Sequence, residues 1–248
     1  MKISVITAVY NSRATLADAL DSALAQDHPD TELIVIDGAS TDGTRAVIQH
    51  YAGSLARVVS EPDRGIYDAL NKGLRLATGE IVGFLHSDDR YADNQVLSRI
   101  AATLADPGID ACYGDLRYVR QEDTGRVVRH WRSGGYQRRR LAWGWMPPHP
   151  TFYARRAIYQ RLGSFNLDYQ IAADYECLLR FLSAGHITCA YIPAVLVHMR
   201  VGGASNRSLS NLLQKSREDY RALRHHHVGG LGTLLMKNLQ KLPQFFRK

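Results

Sequence analysis

Cysteine is scarce. The 248 residues hold three, Cys112, Cys177 and Cys189, an odd number spread far apart in apolar or strand-like surroundings. That pattern excludes a disulfide framework and a cysteine zinc site, and it reads as reduced, buried thiols of a cytosolic protein. Long apolar runs are missing as well, so no segment reaches the roughly 20 residues needed to cross a bilayer. Met1-Lys2 leads directly into a strand pattern, ISVITAVY, and no cleavable signal is expected. Acidic residues are outnumbered, 24 Asp and Glu against 31 Lys and Arg, which leaves a net charge of +7 and a pI near 9.4. Such a balance implies a polyanionic partner or surface: nucleic acid, phospholipid headgroups or a pyrophosphorylated substrate. No internal repeat is present. With 45% hydrophobic residues the chain suits one large domain, or one domain with an appendage.

What is there is an alternation of strands and helices. Ile3 to Val9 is β-branched and alternating, a first strand ending at Tyr10-Asn11-Ser12, with Ser12 or Thr15 available to cap a helix carrying Leu16, Ala19, Leu20, Ala23 and Leu24. ELIVID (32–37) is a second buried strand. After the loop 38–43, Val47, Ile48 and Tyr51 begin a second helix; residues 57–60 form a short strand, and Ile66 to Ala77 a third helix. The order β-α-β-α-β-α-β argues an α/β fold, a mainly parallel central sheet with flanking helices. Further along, the pattern predicts a helix over 95–104, a strand over 109–114, irregular or hairpin structure up to about Tyr136, a helix over 154–162, a strong helix over 172–183 and a last strand over 187–192.

The stretch GEIVGFLHSDDRY (79–91) organises the rest. A short apolar run ends abruptly in His86, Ser87, Asp88 and Asp89. Adjacent carboxylates at the end of a buried strand are costly unless a cation compensates them, and ligand crevices of open α/β sheets lie outside the carboxyl ends of strands. A divalent metal holding a phosphorylated ligand and a helix cap are the two readings of these acids. Asp37, at the end of the second strand, belongs at the same rim.

Taken together, TAVYN after the first strand, IDGASTDGT after the second, GIYDALNKGLRLATGEIVGFLHSDD and AADYECLLRF form one ordered pattern. It resembles family 2 glycosyltransferases of the GT-A fold, most of all bacterial members that build surface polysaccharides, over roughly residues 3–205. The resemblance implies a nucleotide-sugar-binding half (1–114) and an acceptor and catalytic half (115–204). It seats the nucleotide at Thr7, Val9, Tyr10 and Asn11, with Asp37 hydrogen-bonding the base, and it lines the donor pocket with Arg64, Asn71 and Lys72. Asp88 and Asp89 match the acidic metal motif, one orienting the ribose and one coordinating Mg²⁺ or Mn²⁺ on the diphosphate. His86 stands where the commonest motif has its first Asp. Asp174 matches the general base, although Ala173 replaces the Glu that usually precedes it. Trp145 and His149 are acceptor-side candidates, and His198, in a segment expected to be a flexible cationic loop with Arg200, is a further metal candidate.

The resemblance thus implies an inverting, metal-dependent transfer from a nucleotide-diphospho-sugar, a UDP-sugar favoured, to a polyprenyl-diphosphate-linked saccharide. Residues 205–248 are expected to form a basic amphipathic helical tail, with Leu231, Leu234, Leu235, Leu239 and Leu242 on one stripe and Lys237 and Lys241 off it. Such a helix suits peripheral docking at the cytoplasmic face of the inner membrane; packing on the domain or on a partner is the alternative. A sugar-phosphate nucleotidyltransferase is disfavoured, because TAVYNSRATL lacks the glycine-rich loop those enzymes carry after the first strand. A non-catalytic module binding membrane or nucleic acid ranks last, and no nucleic-acid partner is expected. Sugar, acceptor and oligomeric state stay open.

Overall fold

The computed structural model describes residues 1–202 and 209–240. In chain order the elements are β1 (Ile3–Val9), α1 (Leu16–Leu24), β2 (Thr31–Asp37), α2 (Thr44–His50), β3 (Arg57–Ser60), α3 (Ile66–Leu76), β4 (Ile81–Phe84), β5 (Asp89–Tyr91), α4 (Val96–Leu104), β6 (Ala111–Val119), β7 (Val127–Trp131), β8 (Tyr153–Arg155), α5 (Arg156–Leu162), α6 (Ala173–Leu179), β9 (Cys189–Arg200), α7 (Leu209–His225) and α8 (Leu231–Leu239). The strands form one sheet in the order β3-β2-β1-β4-β8-β6-β9-β5, with β7 paired to β6. β3, β2, β1 and β4 run parallel, as the first half of the sequence predicts. Continuous apolar runs are what a parallel strand covered on both faces requires, and all seven residues of β1 are buried.

The second half departs from expectation in four places. Ala154 and Arg155, predicted as the start of a helix, belong instead to β8, which lies antiparallel between β4 and β6 and closes the gap in the sheet. Gly83 makes room for it: a Cβ there would stand 2.0 Å from Cε1 of Tyr153. β6 runs on to Val119, and β9 runs from Cys189 through the segment predicted as a flexible loop to Arg200. These polar-looking stretches are strands because β9 pairs with β6 on one side and with β5 on the other. Pairing partners far away in sequence decide this, and local periodicity does not register them. The helix predicted over 172–183 breaks its α-pattern after Leu179 and continues to Ala184 as one wide π-turn.

The expected tail is packed on the body. α7 lies against α6, and α8 lies on the short 3₁₀ turn Arg138–Trp143, where Thr233 donates to the carbonyl of Ala142 (2.9 Å). α8 sits with its polar side inward. Thr233 and Lys237 are buried, whereas Leu231, Leu235 and Leu239 are 71%, 61% and 45% exposed. The Lys237 ammonium is held by Asp219 at 2.8 Å and stands over the Tyr175 ring. Leu242, Lys241 and the terminal phenylalanines lie outside the described residues. The cysteines carry no disulfide: Cys112 and Cys177 are buried and Cys189 half-buried.

Candidate active site

The loops after β1, β2 and β4 meet at the carboxyl rim of the parallel strands. Beyond β1, Asn11 adopts a left-handed backbone (φ 48°), a conformation Asn tolerates, and its side chain accepts from the Thr41 amide at 2.9 Å. Its own amide donates to Ser40 Oγ, also at 2.9 Å. Asp37 is fully buried at the end of β2 and accepts from Ser60 Oγ (2.6 Å) and from the Ser40 amide (3.1 Å). Gly38 follows because nothing larger fits: a Cβ would lie 2.5 Å from Oδ2 of Asp63 and 3.3 Å from the Tyr10 ring. The exposed Tyr10 ring and half-buried Asp63 therefore both stand against Gly38, next to buried Asp37.

The acidic pair sits in a tight turn, closed by the Asp89 amide donating to the His86 carbonyl at 3.0 Å. Ser87 reaches Ser12 (2.9 Å), which joins this turn to the loop after β1. Arg200 pins it from behind. One guanidinium nitrogen donates to the Asp88 carbonyl (2.9 Å), another reaches Asp18 on α1, and Nε donates to the carbonyl of Gln121. Asp89 is fully buried, and neither of its oxygens has a hydrogen-bond partner among the described residues. Burial, and then the charge of Asp88, push its carboxyl well above the usual range.

Opposite the turn, α6 presents Asp174. Tyr67, from α3, brings its hydroxyl to 3.0 Å from Oδ1 of Asp174 and 2.8 Å from the Ile171 carbonyl. Between the two acidic centres lie His86 and His149, their rings 6.1 Å apart. His149 stacks on Phe84, and burial pushes its imidazole down to about 4. His86 is likewise lowered by burial, against the opposing pull of Asp88 and Asp174, both within electrostatic reach. His86 Nδ1 and His149 Nε2 are buried without a hydrogen-bond partner among the described residues. Buried polar atoms in that state call for a partner such as water, an ion or a ligand.

The other residues singled out in the sequence sit in varied surroundings. Asn71 uses its amide on the Phe165 backbone, donating to the carbonyl (2.8 Å) and accepting from the amide (3.0 Å), which ties α3 to the segment before α6. Lys72 is held by Glu61 and the Pro62 carbonyl, both at 2.9 Å. Arg64 extends into solvent beside Asp68. Thr7 and Val9 are buried within β1. Trp145 is in the core, donating to the Ser133 carbonyl (2.8 Å) and packed edge-on against Tyr113. His198 pairs with Arg90 across the β5–β9 ladder. Partners directly opposite share a face and neighbours alternate, so His198 points away from the side that carries Asp89. Tyr67 and Ser87 were given no site role in the sequence, since an aromatic in a first helical turn and a serine in a turn carry no signal alone.

Comparison with known proteins places this geometry. The family described as "Glycosyl transferase family 2" matches residues 4–163. The chain belongs to that family. A PGL/p-HBAD biosynthesis glycosyltransferase of Mycobacterium bovis is 31% identical over 208 residues, covering 82% of this chain and 78% of the relative. TuaG of Bacillus subtilis, named a putative teichuronic acid biosynthesis glycosyltransferase, is 41% identical over 97 residues, 38% of each chain. Among solved structures, the mannosyltransferase PcManGT from Pyrobaculum calidifontis in complex with GDP-Man and Mn²⁺ superposes with a TM-score of 0.67 at 26% identity, covering 99% of this chain and 73% of that one. S. aureus TarS 1-349 in complex with UDP gives 0.65 at 22% identity, covering 91% of this chain and 66% of that one. The fold of this family 2 glycosyltransferase is therefore GT-A.

Does the acidic turn suit a divalent cation? Asp88 and Asp89 supply hard oxygen donors, and neither carboxylate oxygen of buried Asp89 has a hydrogen-bond partner among the described residues. Among the described residues no three His, Cys, Asp or Glu side chains gather closely enough to cage an ion. Mg²⁺ is commonly held by one or two carboxylates together with substrate phosphates, and this donor set fits that arrangement.

Proposed function

We propose that this enzyme inverts the anomeric carbon of a nucleotide-diphospho-sugar while moving the sugar to a saccharide acceptor of the cell envelope. The observation that carries the reading is the convergence of Asp174 and the Asp88–Asp89 turn on the two buried, unpartnered histidine nitrogens. The nucleotide base binds beside Tyr10, with Asp37 and Asp63 as the carboxylates that accept from base N–H groups. The diphosphate then lies over the acidic turn, where Asp88 and Asp89 would hold Mg²⁺ or Mn²⁺, an ion that offsets charge developing on the departing nucleoside diphosphate. Asp174 takes the proton of the acceptor hydroxyl as that oxygen bonds to the anomeric carbon. The bond from that carbon to the diphosphate oxygen breaks with its electron pair, and attack from the opposite face inverts the centre. His149 stays neutral and offers Nε2 to a sugar hydroxyl.

The names of the relatives support a surface glycan as product, and the GDP-Man complex of PcManGT supports a nucleotide sugar as donor; a UDP-sugar is the donor this reading favours. A lipid-linked acceptor is supported by α8. Leu231, Leu235 and Leu239 face outward beside exposed Trp143, with Arg138 and Arg139 exposed on the same turn. Leucine, tryptophan and arginine together suit the anionic headgroup region. Among the described residues no helix is long and apolar enough to cross a membrane, so the proposed contact is peripheral.

The test is turnover and binding across UDP-, GDP- and dTDP-sugars with Mn²⁺, Mg²⁺ or EDTA, for wild type and Asp174→Asn. Metal-dependent turnover of one donor, reduced about 10²–10⁴-fold in Asp174→Asn with donor binding kept, is expected. Full activity in that variant, or in EDTA, would overturn the assignment of the base or of the metal respectively.

A further inference from the structure

We infer that Glu218, in the part of the chain that reads as a tail, is a positioning residue for Asp174; this rests on the reading of Asp174 as the base. Glu218 is a buried acid on α7, 44 residues after Asp174 in the chain. Its Oε2 accepts from the backbone amides of Ile171 and Ala172, each at 2.9 Å, and its Oε1 accepts from that of Gln170 at 3.1 Å. These three successive N–H groups immediately precede α6, and Asp174 is the second residue of that helix. No side chain of α6 caps its own start, since Ala172 occupies the cap position. A carboxylate from another helix does so instead, and burial of this acid is more than offset by the three amides and Gln214, which hold it below the usual carboxylate range.

Residue 171 is thereby gripped at both of its backbone polar groups. Its N–H goes to Glu218 and its carbonyl receives the Tyr67 hydroxyl, the same hydroxyl that stands 3.0 Å from Asp174. Glu218 is itself fixed. Gln214 donates to its Oε1 at 3.0 Å, and the adjacent Asp219 lies between Lys215 and Lys237, each at 2.8 Å. Lys237 belongs to α8, so both C-terminal helices set the rotation of α7 that aims Glu218. A general base must sit within hydrogen-bond reach of the proton it takes, and a displacement of about 1 Å can cost on the order of 10²-fold in rate. Glu218 touches neither donor nor acceptor in this arrangement, and its effect passes through the backbone of 170–172.

The experiment compares wild type with Glu218→Ala, Glu218→Gln, Glu218→Asp and Asp174→Asn in the full chain. It reads kcat, donor KM and donor Kd with UDP-GlcNAc and GDP-mannose as probes, and amide hydrogen exchange over residues 170–176. Glu218→Ala is expected to lower kcat about 10–100-fold while donor KM and Kd stay within about 2-fold. Glu218→Gln keeps the length and one acceptor oxygen but turns an NH₂ donor towards the N–H groups the other oxygen met, and recovers only part of the loss. Exchange over 170–176 accelerates in Glu218→Ala with or without turnover. Should Glu218→Ala fail to fold, Glu218→Asp, which keeps the charge but is one methylene short, carries the same expectation. Unchanged kcat or unchanged exchange in Glu218→Ala beside an inactive Asp174→Asn overturns the positioning role and leaves the base in place. A fully active Asp174→Asn overturns the base, and the role of Glu218 with it.

Discussion

The hydroxyl of Tyr67 shares a single proton between Oδ1 of Asp174 and the carbonyl of Ile171, at 3.0 and 2.8 Å. Only one of these bonds can be strong at a time. An ionised Asp174 draws the proton towards itself, and a carboxyl that has just taken a proton releases it to the carbonyl. The phenol, raised far above its ordinary range by burial and then by Asp174, does not itself ionise. Replacing Tyr67 with Phe removes this partner and leaves the ring contact with Phe165 intact. A hydrogen bond to a charged group contributes about 1.5–3 kcal/mol, so kcat should fall about 10- to 100-fold with donor affinity unchanged. Steady-state kinetics with a binding titration of the donor will show the split.

Asp89 predicts an exchange of stability for function. Its carboxylate is buried and has no hydrogen-bond partner among the described residues. In the protein without ligand, Asp89→Asn should raise the midpoint of thermal unfolding by about 2–4 °C, as about 1 kcal/mol does in a chain of this size. The same variant should lose metal-dependent donor binding. Thermal scans with and without Mn²⁺ and donor report both, and a variant of lowered stability that still binds donor would contradict the arrangement.

His149 predicts an acid weakness. Burial lowers its imidazole to about 4, so between the unfolded value near 6.5 and about 4 the unfolded chain binds the proton and the native chain does not. Stability from this group is therefore intact above about pH 6.5 and declines as pH falls towards 4, by about 3 kcal/mol in all. His149→Gln, which does not titrate, should lose less stability than wild type between pH 7 and pH 4.5. Urea unfolding at the two pH values will show whether the difference is there.

α8 predicts the membrane contact. Changing Leu231 and Leu235 to Ser removes exposed apolar surface without touching the core, so the unfolding midpoint should stay within about 1 °C. Binding to vesicles containing phosphatidylglycerol should fall at least about 10-fold, given about 1.5–3 kcal/mol for each fully buried leucine. Co-sedimentation with anionic and neutral vesicles measures it, and equal binding by the variant would exclude this face as the docking surface.

Much of the nucleotide half was legible in the sequence. β1, β2 and β4 are apolar runs ending in polar residues, and a parallel sheet buried on both faces needs both features. The rim position of Asp37 and of the Asp88–Asp89 turn follows from those strand ends alone. The second half was not legible in the same way. β8 exists because a gap between β4 and β6 admits three residues against Gly83, and β9 is long because two strands pair with it. Neither partner is local, so Ala154 and Arg155 read as helix and His198 as loop.

The leucine spacing of α8 was evident from the sequence, but which side of the helix meets the protein was not. Asp219 and Tyr175 decide that by drawing Lys237 inward, an ion pair between elements that are neighbours only in the folded chain. The sequence by itself determined which strands are buried and where their carboxylates emerge, because the period of apolar residues encodes burial locally. The tertiary structure alone decided how Asp174 is held. Tyr67 and Glu218 reach the start of α6 from opposite directions of the chain, and a contact 107 residues apart on one side and 46 to 48 on the other leaves no local pattern to read.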